Sequence, residues 1–147
     1  MFVGGSIAGA CDITYAVGFS AYRGVAPMRI LQSVASGLLG PASFNGGVAT
    51  AVLGLCLHFF IAFIVAAIFY LASRLLPVVL RYAAVAGIAY GAVVYAVMNL
   101  VVLPLSAAPP RTTAMPTVVM VTGLLVHMFG IGLPIALAAR SAARVRP

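Results

Sequence analysis

Apolar positions along this chain fall into four long runs separated by short polar or proline-containing stretches: about Phe2 to Tyr22, Val48 to Ala72, Tyr82 to Leu105 and Pro116 to Ala139. Each is close to the ~20 residues that a helix needs to cross the hydrocarbon of a bilayer, so the pattern predicts four spanning helices. Ser73-Arg74-Leu75-Leu76-Pro77 is a short linker, and it predicts that the second and third helices are antiparallel neighbours. Ser106 to Thr113, carrying Pro109-Pro110, reads as a tight extended loop.

The stretch from Arg23 to Gly46 is too long for a turn. Within it Ile30, Leu31, Val34, Leu38 and Leu39 recur at helical spacing, while Arg29, Gln32, Ser33 and Ser36 fill much of the remaining surface. That pattern predicts an amphipathic helix lying on the membrane plane or capping the bundle, closed by Gly40-Pro41; an irregular packed loop is the alternative. The expected fold class is therefore all-α. It is a four-helix transmembrane bundle with an amphipathic interfacial helix between helices one and two, forming a single integral membrane domain over residues 1–147.

An internal repeat refines this picture. Tyr15-Ala16-Val17 recurs as Tyr95-Ala96-Val97, Ala26-Pro27-Met28-Arg29 as Ala108-Pro109-Pro110-Arg111, and Gly54-Leu55-Cys56-Leu57-His58-Phe59 as Gly123-Leu124-Leu125-Val126-His127-Met128. The offsets are 80, 82 and 69 residues, and the fall after the second matches an insertion of the amphipathic helix in the first half. The chain thus reads as two tandem similar helical hairpins, pseudo-repeats 1–75 and 78–140. Each hairpin holds an even number of spans, so both copies point the same way, and a pseudo-twofold axis along the membrane normal should bring His58 and His127 face to face.

Composition fits a membrane protein. The chain of 147 residues is 65% hydrophobic and 6% charged, with a mean hydropathy of +1.23, whereas a water-soluble domain has about a quarter of its residues charged. All eight basic residues are Arg, and Asp12 is the only acid. Chemistry that needs two carboxylates in one chain is excluded. The net charge of +7 does not point to nucleic acid, because the arginines sit at the edges of apolar runs, where they anchor to headgroups. Arg74, Arg81, Arg140, Arg144 and Arg146 fall on the side of the termini and Arg23, Arg29 and Arg111 on the other, which favours cytoplasmic termini. Cys11 and Cys56 lie in apolar segments and predict small-residue packing. The N-terminus lacks a basic leader region, so the first run reads as a retained helix.

Polar groups gather at one depth. By helical rise, Asp12 lies ~15 Å from one face of the bilayer and His58 and His127 ~15 to 16 Å from the other, all near the centre. Tyr90 has a similar depth, with Tyr15 and Tyr95 about one turn nearer the outside and Asn99 beyond them. Small residues flank each imidazole, Gly54 and Ala62 around His58 and Gly123 beside His127, which suits close helix packing. Pro134 is expected to bend the fourth helix.

Three readings of this layer follow. The two imidazoles are candidate axial ligands of a haem b, with Arg29 and Arg111 towards its propionates, although interfacial anchoring explains those arginines equally. His58, His127 and Asp12 are alternatively candidate ligands of a divalent metal, or a proton relay in a proton-coupled transporter or carrier. Structural hydrogen bonding between helices, in an assembly protein with no ligand, is the third reading. No nucleophile elbow or phosphate loop is present, which leans against an enzyme.

Leu57-His58-Phe59-Phe60, the segment from Asn99 to Pro104 followed by Pro109-Pro110, and the Gly-x-x-x-His phrase of helix four resemble small bacterial inner-membrane proteins of the YagU type. The resemblance covers most of helices two to four and implies a bacterial inner (plasma) membrane location, without implying an activity. The expectation from the sequence is a non-enzymatic membrane protein with a paired-histidine site for haem or metal, of a size that suits a small subunit of a larger redox or transport complex. Its partners would be the lipid bilayer and another membrane protein or a second copy of the chain.

Overall fold

In a computed structural model that describes residues 1–110, 112 and 114–144, four helices are long and apolar enough to cross a membrane. They are Phe2–Tyr22, Gly47–Leu75, Ala83–Leu105 and Thr117–Arg144, referred to below as the first to fourth spans. The protein is a multi-pass, all-α membrane bundle, and no strand occurs among the described residues. A further short helix, Pro27–Leu39, precedes the second span. Proline at its first position has the backbone angle a helix start requires. It ends at Gly40, whose φ of 63° suits glycine and few other residues.

The first and fourth spans form the central pair, with the second span packed on the first and the third packed on the fourth. The second and third spans, expected as neighbours, instead meet through Tyr90. Its hydroxyl donates to the Val65 carbonyl at 2.7 Å, and its ring centroid lies 5.1 Å from that of Phe69. Direction follows from the short linker, but contact does not, because a separate helical turn at Val78–Arg81 widens the connection. Their separation leaves room for a cavity.

The third and fourth spans cross backbone to backbone. A side chain at Gly91 would collide with the His127 carbonyl. Lipid removes the hydrophobic drive for helix association, so such close approach supplies the attraction in its place. The bend expected at Pro134 appears as a wide π turn over His127–Gly132, ending two residues before the proline. A second, at Met98–Val102, ends two residues before Pro104. Proline lacks an N–H and clashes with the carbonyl four residues back; a wide turn accommodates that mismatch where a sharp kink would otherwise form.

The short helix departs most from expectation. Its polar residues Gln32 and Ser36 are only 2% exposed and turn inward beside Ala35, while Leu38 and Leu39 face outward at 62% and 43% exposure. Gln32 Nε2 donates to the Gly47 carbonyl at 3.1 Å, and Thr50 Oγ1 donates to the Ser43 carbonyl at 2.6 Å. A side chain at Gly54 would collide with the Leu31 carbonyl, so the helix lies against the second span about two turns below that span's start. Arg29 and Ser33 also face outward, so the helix carries both polar and apolar groups on its free side. It packs on the second span and caps the bundle, one of the two placements its pattern predicts. The loop after the third span rests on its end, with the Ala107 N–H donating to the Gly37 carbonyl at 2.9 Å.

The main apolar cluster lies in the half of the bundle that holds the termini. There Ala66, Phe69, Ala83, Ile135, Ala136 and Ala139 form a buried cluster that reaches Ala8 and Ile131 at mid-depth.

Candidate functional site

Above that packed half lies a cavity of about 340 Å³. The first span contributes Ala8, Gly9, Asp12, Tyr15 and Ala16 to its wall, one face at three- and four-residue spacing. Small residues at positions 8, 9 and 16 leave the space that Asp12 enters. His58 and Ala62 come from the second span, Tyr95 and Asn99 from the third, and Gly123 and His127 from the fourth. Val34 of the short helix, Leu103 and Met115 line it from the side of the loops.

Asp12 stands between the two imidazoles. One carboxylate oxygen, Oδ2, is 3.9 Å from His58 Nδ1, and the other, Oδ1, is 3.9 Å from His127 Nδ1. The side chains are 22% exposed for Asp12, 13% for His58 and 16% for His127, so the group is largely enclosed. Both separations exceed hydrogen-bond length. No arginine lines the cavity among the described residues, so the imidazoles are the candidate counter-charges for this carboxylate.

Hydrogen-bond partners fix where the protons sit. His58 Nε2 is 2.9 Å from the Gly9 carbonyl and His127 Nδ1 is 2.9 Å from the Gly123 carbonyl. A carbonyl only accepts, so each of those nitrogens carries its hydrogen. Neutral His58 then turns a bare Nδ1 towards Asp12, and neutral His127 keeps a bare Nε2. Thr122 Oγ1 donates to the Val118 carbonyl at 2.6 Å, so in its short bond with Tyr15 the phenol is the donor. The N–H and O–H groups of His58, His127, Tyr15 and Thr122 are therefore spent on other protein atoms. The bare Nδ1 of His58 and the Tyr15 oxygen remain as acceptors near Asp12, and the Tyr95 hydroxyl and Asn99 amide line the wall beyond them.

His58 and His127 converge on one carboxylate, as the repeat implied, but in unequal ways. His58 bonds across to the first span through Nε2, whereas His127 bonds within its own helix through Nδ1. The two hairpins also pack differently, since the first and fourth spans touch closely while the second and third stand apart. Tyr95 meets His127 edge to face at 5.2 Å, and Asn99 Nδ2 donates to the Tyr95 carbonyl at 2.9 Å. Tyr90 lies below the cavity as a strut between the second and third spans. The Arg29 guanidinium sits over the Phe44 ring at 4.7 Å and does not reach the cavity; Arg111 lies outside the described residues. The sequence reading missed the carbonyls of Gly9 and Gly123, Thr122 and Val34. Only Gly123 carried a signal, because Gly-x-x-x-His spacing sets a carbonyl one turn before the imidazole.

The geometry gives the cofactor readings no support. A haem held by two axial imidazoles needs an open slot between their ligating nitrogens, yet the Asp12 carboxylate stands between the rings, and His58 Nε2 is committed to Gly9. A metal shared by Asp12 and His127 needs a lone pair on Nδ1, which instead carries the hydrogen given to Gly123. No group of three His, Cys, Asp or Glu side chains suited to a metal ion occurs among the described residues. Comparison with protein-family models, curated proteins and solved structures finds no match to this chain. The likeness to YagU-type proteins rests on the residues quoted for it alone.

Proposed function

We propose that Asp12, His58 and His127 form the proton-binding centre of a small proton-coupled membrane carrier. The observation that carries the reading is a lone carboxylate set between two imidazoles inside a cavity of about 340 Å³ at the middle of the spans. A carboxylate within hydrocarbon needs a compensating positive charge. With neutral imidazoles, the Asp12 carboxylate and the bare Nδ1 of His58 face one another as acceptors, and a proton shared between them resolves both the charge and the mismatch. The cavity fits a solute as well as a proton, being at the lower end of the ~300–1,000 Å³ typical of small-molecule sites. Following the arginine distribution and the resemblance, the protein is placed in a bacterial inner membrane with cytoplasmic termini, so the cavity is capped towards the outside.

Nitrogen-15 NMR of the two imidazoles in detergent micelles tests the centre. Asp12→Asn is expected to shift the ring-nitrogen signals of His58, whose bare Nδ1 faces the carboxylate. Imidazole spectra that are identical in the wild type and in Asp12→Asn exclude a shared proton site.

A further inference from the structure

We infer that the cavity takes a small organic ammonium ion, a protonated amine with an apolar body, which displaces a proton from the Asp12 centre. This rests on the carrier reading and assigns its substrate class.

The first support is the donor count. His58, His127 and Tyr15 have given their hydrogens to Gly9, Gly123 and Thr122. Around Asp12 that leaves two carboxylate oxygens, the bare Nδ1 of His58 and the lone pairs of the Tyr15 oxygen, with the Tyr95 hydroxyl and the Asn99 amide further along the wall. A ligand seated against the carboxylate must supply N–H or O–H groups and positive charge. A carboxylate or phosphate would add negative charge beside the only acid in the chain. A primary ammonium brings three donors to acceptors that come from the first and second spans.

The second support is the remaining wall. Away from Asp12 the cavity is bounded mainly by Ile61, Val65, Met98, Val119 and Ile131, which match an apolar body, and among the described residues no second charged side chain lines it. The Tyr95 ring stands beside His127 at this end of the chamber, and aromatic faces attract cations.

The groups facing Asp12 are Tyr15 of its own span, His58 of the second, Tyr95 of the third and His127 of the fourth, with uncharged Val34 from the short helix. The exchange balances simply: the ammonium enters with its own charge, and one proton leaves the centre. Binding therefore tightens as the pH rises, for as long as the amine itself stays protonated.

Isothermal titration of the purified protein in micelles, run in buffers of different ionisation enthalpy, tests this with phenethylamine, phenethyl alcohol, hydrocinnamate and tetraethylammonium. Phenethylamine is expected to bind with release of about one proton, and more tightly at mildly alkaline than at mildly acidic pH. The other three, which lack the charge or the N–H groups, are expected to bind at least about tenfold more weakly, the value of one charge-assisted hydrogen bond. Asp12→Asn should abolish the proton release and weaken phenethylamine by about 10- to 100-fold. Val34→Phe, which fills the chamber while leaving the acid in place, should weaken it as well. Hydrocinnamate or phenethyl alcohol binding as well as the amine, or no amine binding at all, overturns the substrate class. If the imidazole signals still respond to Asp12→Asn in that case, the proton centre stands without it.

Discussion

Replacing Asp12 by asparagine distinguishes a working site from a structural clasp, because the two roles predict stability changes of opposite sign. An aspartate at the centre of a spanning helix costs about 2.5–3.5 kcal/mol on insertion scales. The isosteric amide removes most of that cost. What it gives up is the attraction of a carboxylate for an imidazolium, roughly 4 kcal/mol gross at 3.9 Å with an effective dielectric near 20. That attraction exists only while an imidazole is charged, and it is set against several kcal/mol of desolvation for each ion. Neither contact is short enough to be a hydrogen bond, so no directional bond is lost. The introduced N–H faces the bare Nδ1 of His58 at the same separation, so it repels nothing and gains no full hydrogen bond. The expected outcome is a bundle of unchanged stability or one stabilised by about 1 kcal/mol. Unfolding in mixed micelles, followed by circular dichroism, measures it. A loss of more than about 2 kcal/mol, well into the destabilising range for single substitutions, would show that the triad is a clasp and refute the reasoning.

Three further outcomes follow from the packing. Gly91→Ala drives a methyl group into the His127 carbonyl and should cost about 1–3 kcal/mol in the same unfolding assay, with the His127 NMR signals shifted; an unchanged spectrum would mean that the third and fourth spans do not cross there. Phe69→Ala removes the aromatic side chain of the buried cluster and should cost about 3 kcal/mol, where a change below about 1 kcal/mol would show that this half of the bundle is not tightly packed. Cysteine placed at Leu38 or Leu39, with Cys11 and Cys56 replaced by alanine, should resist a membrane-impermeant maleimide in intact membranes while cysteine at Val25 reacts; equal labelling of all three would put the short helix in water.

Much of the architecture was legible because one physical constraint, the thickness of hydrocarbon, writes itself into run length. The predicted first span, Phe2 to Tyr22, coincides with the observed helix, and the other three differ by a few residues at their ends. Depth was legible for the same reason: rise per residue is constant, so Asp12, His58 and His127 were brought to one level by counting alone. Faces were not. The short helix was expected to cap the bundle or lie on the membrane plane with Gln32 and Ser36 on its free surface; it does cap the bundle, but those two side chains turn in towards the protein. Neighbour order failed as well, since a linker that makes the second and third spans antiparallel says nothing of the Tyr90 strut that holds them apart. The partners of the imidazoles were hidden because both are backbone carbonyls, which no residue type announces.

The two halves of the bundle differ in what a change of shape demands. Towards the termini, alanines and Phe69 pack against one another beneath the third and fourth spans, whose backbones touch at Gly91, so moving a helix there forfeits contacts along its whole face. Towards the loops, the cavity is closed by the short helix and the segment after the third span. Its polar links there include Gln32 to Gly47, Thr50 to Ser43 and Ala107 to Gly37. Each is worth about 1 kcal/mol net in water, and among the described residues the Ala107 bond ties the two closing segments to each other. Both wide turns, at Met98–Val102 and His127–Gly132, lie in spans that border this chamber, and both loosen the regular ladder of backbone bonds next to a proline. Displacing the cap breaks these bonds and the packing of one short helix on the second span at Gly54, while opening the other half separates whole spans and exposes its apolar cluster. The architecture sets the easier path to Asp12 on the side of the short helix.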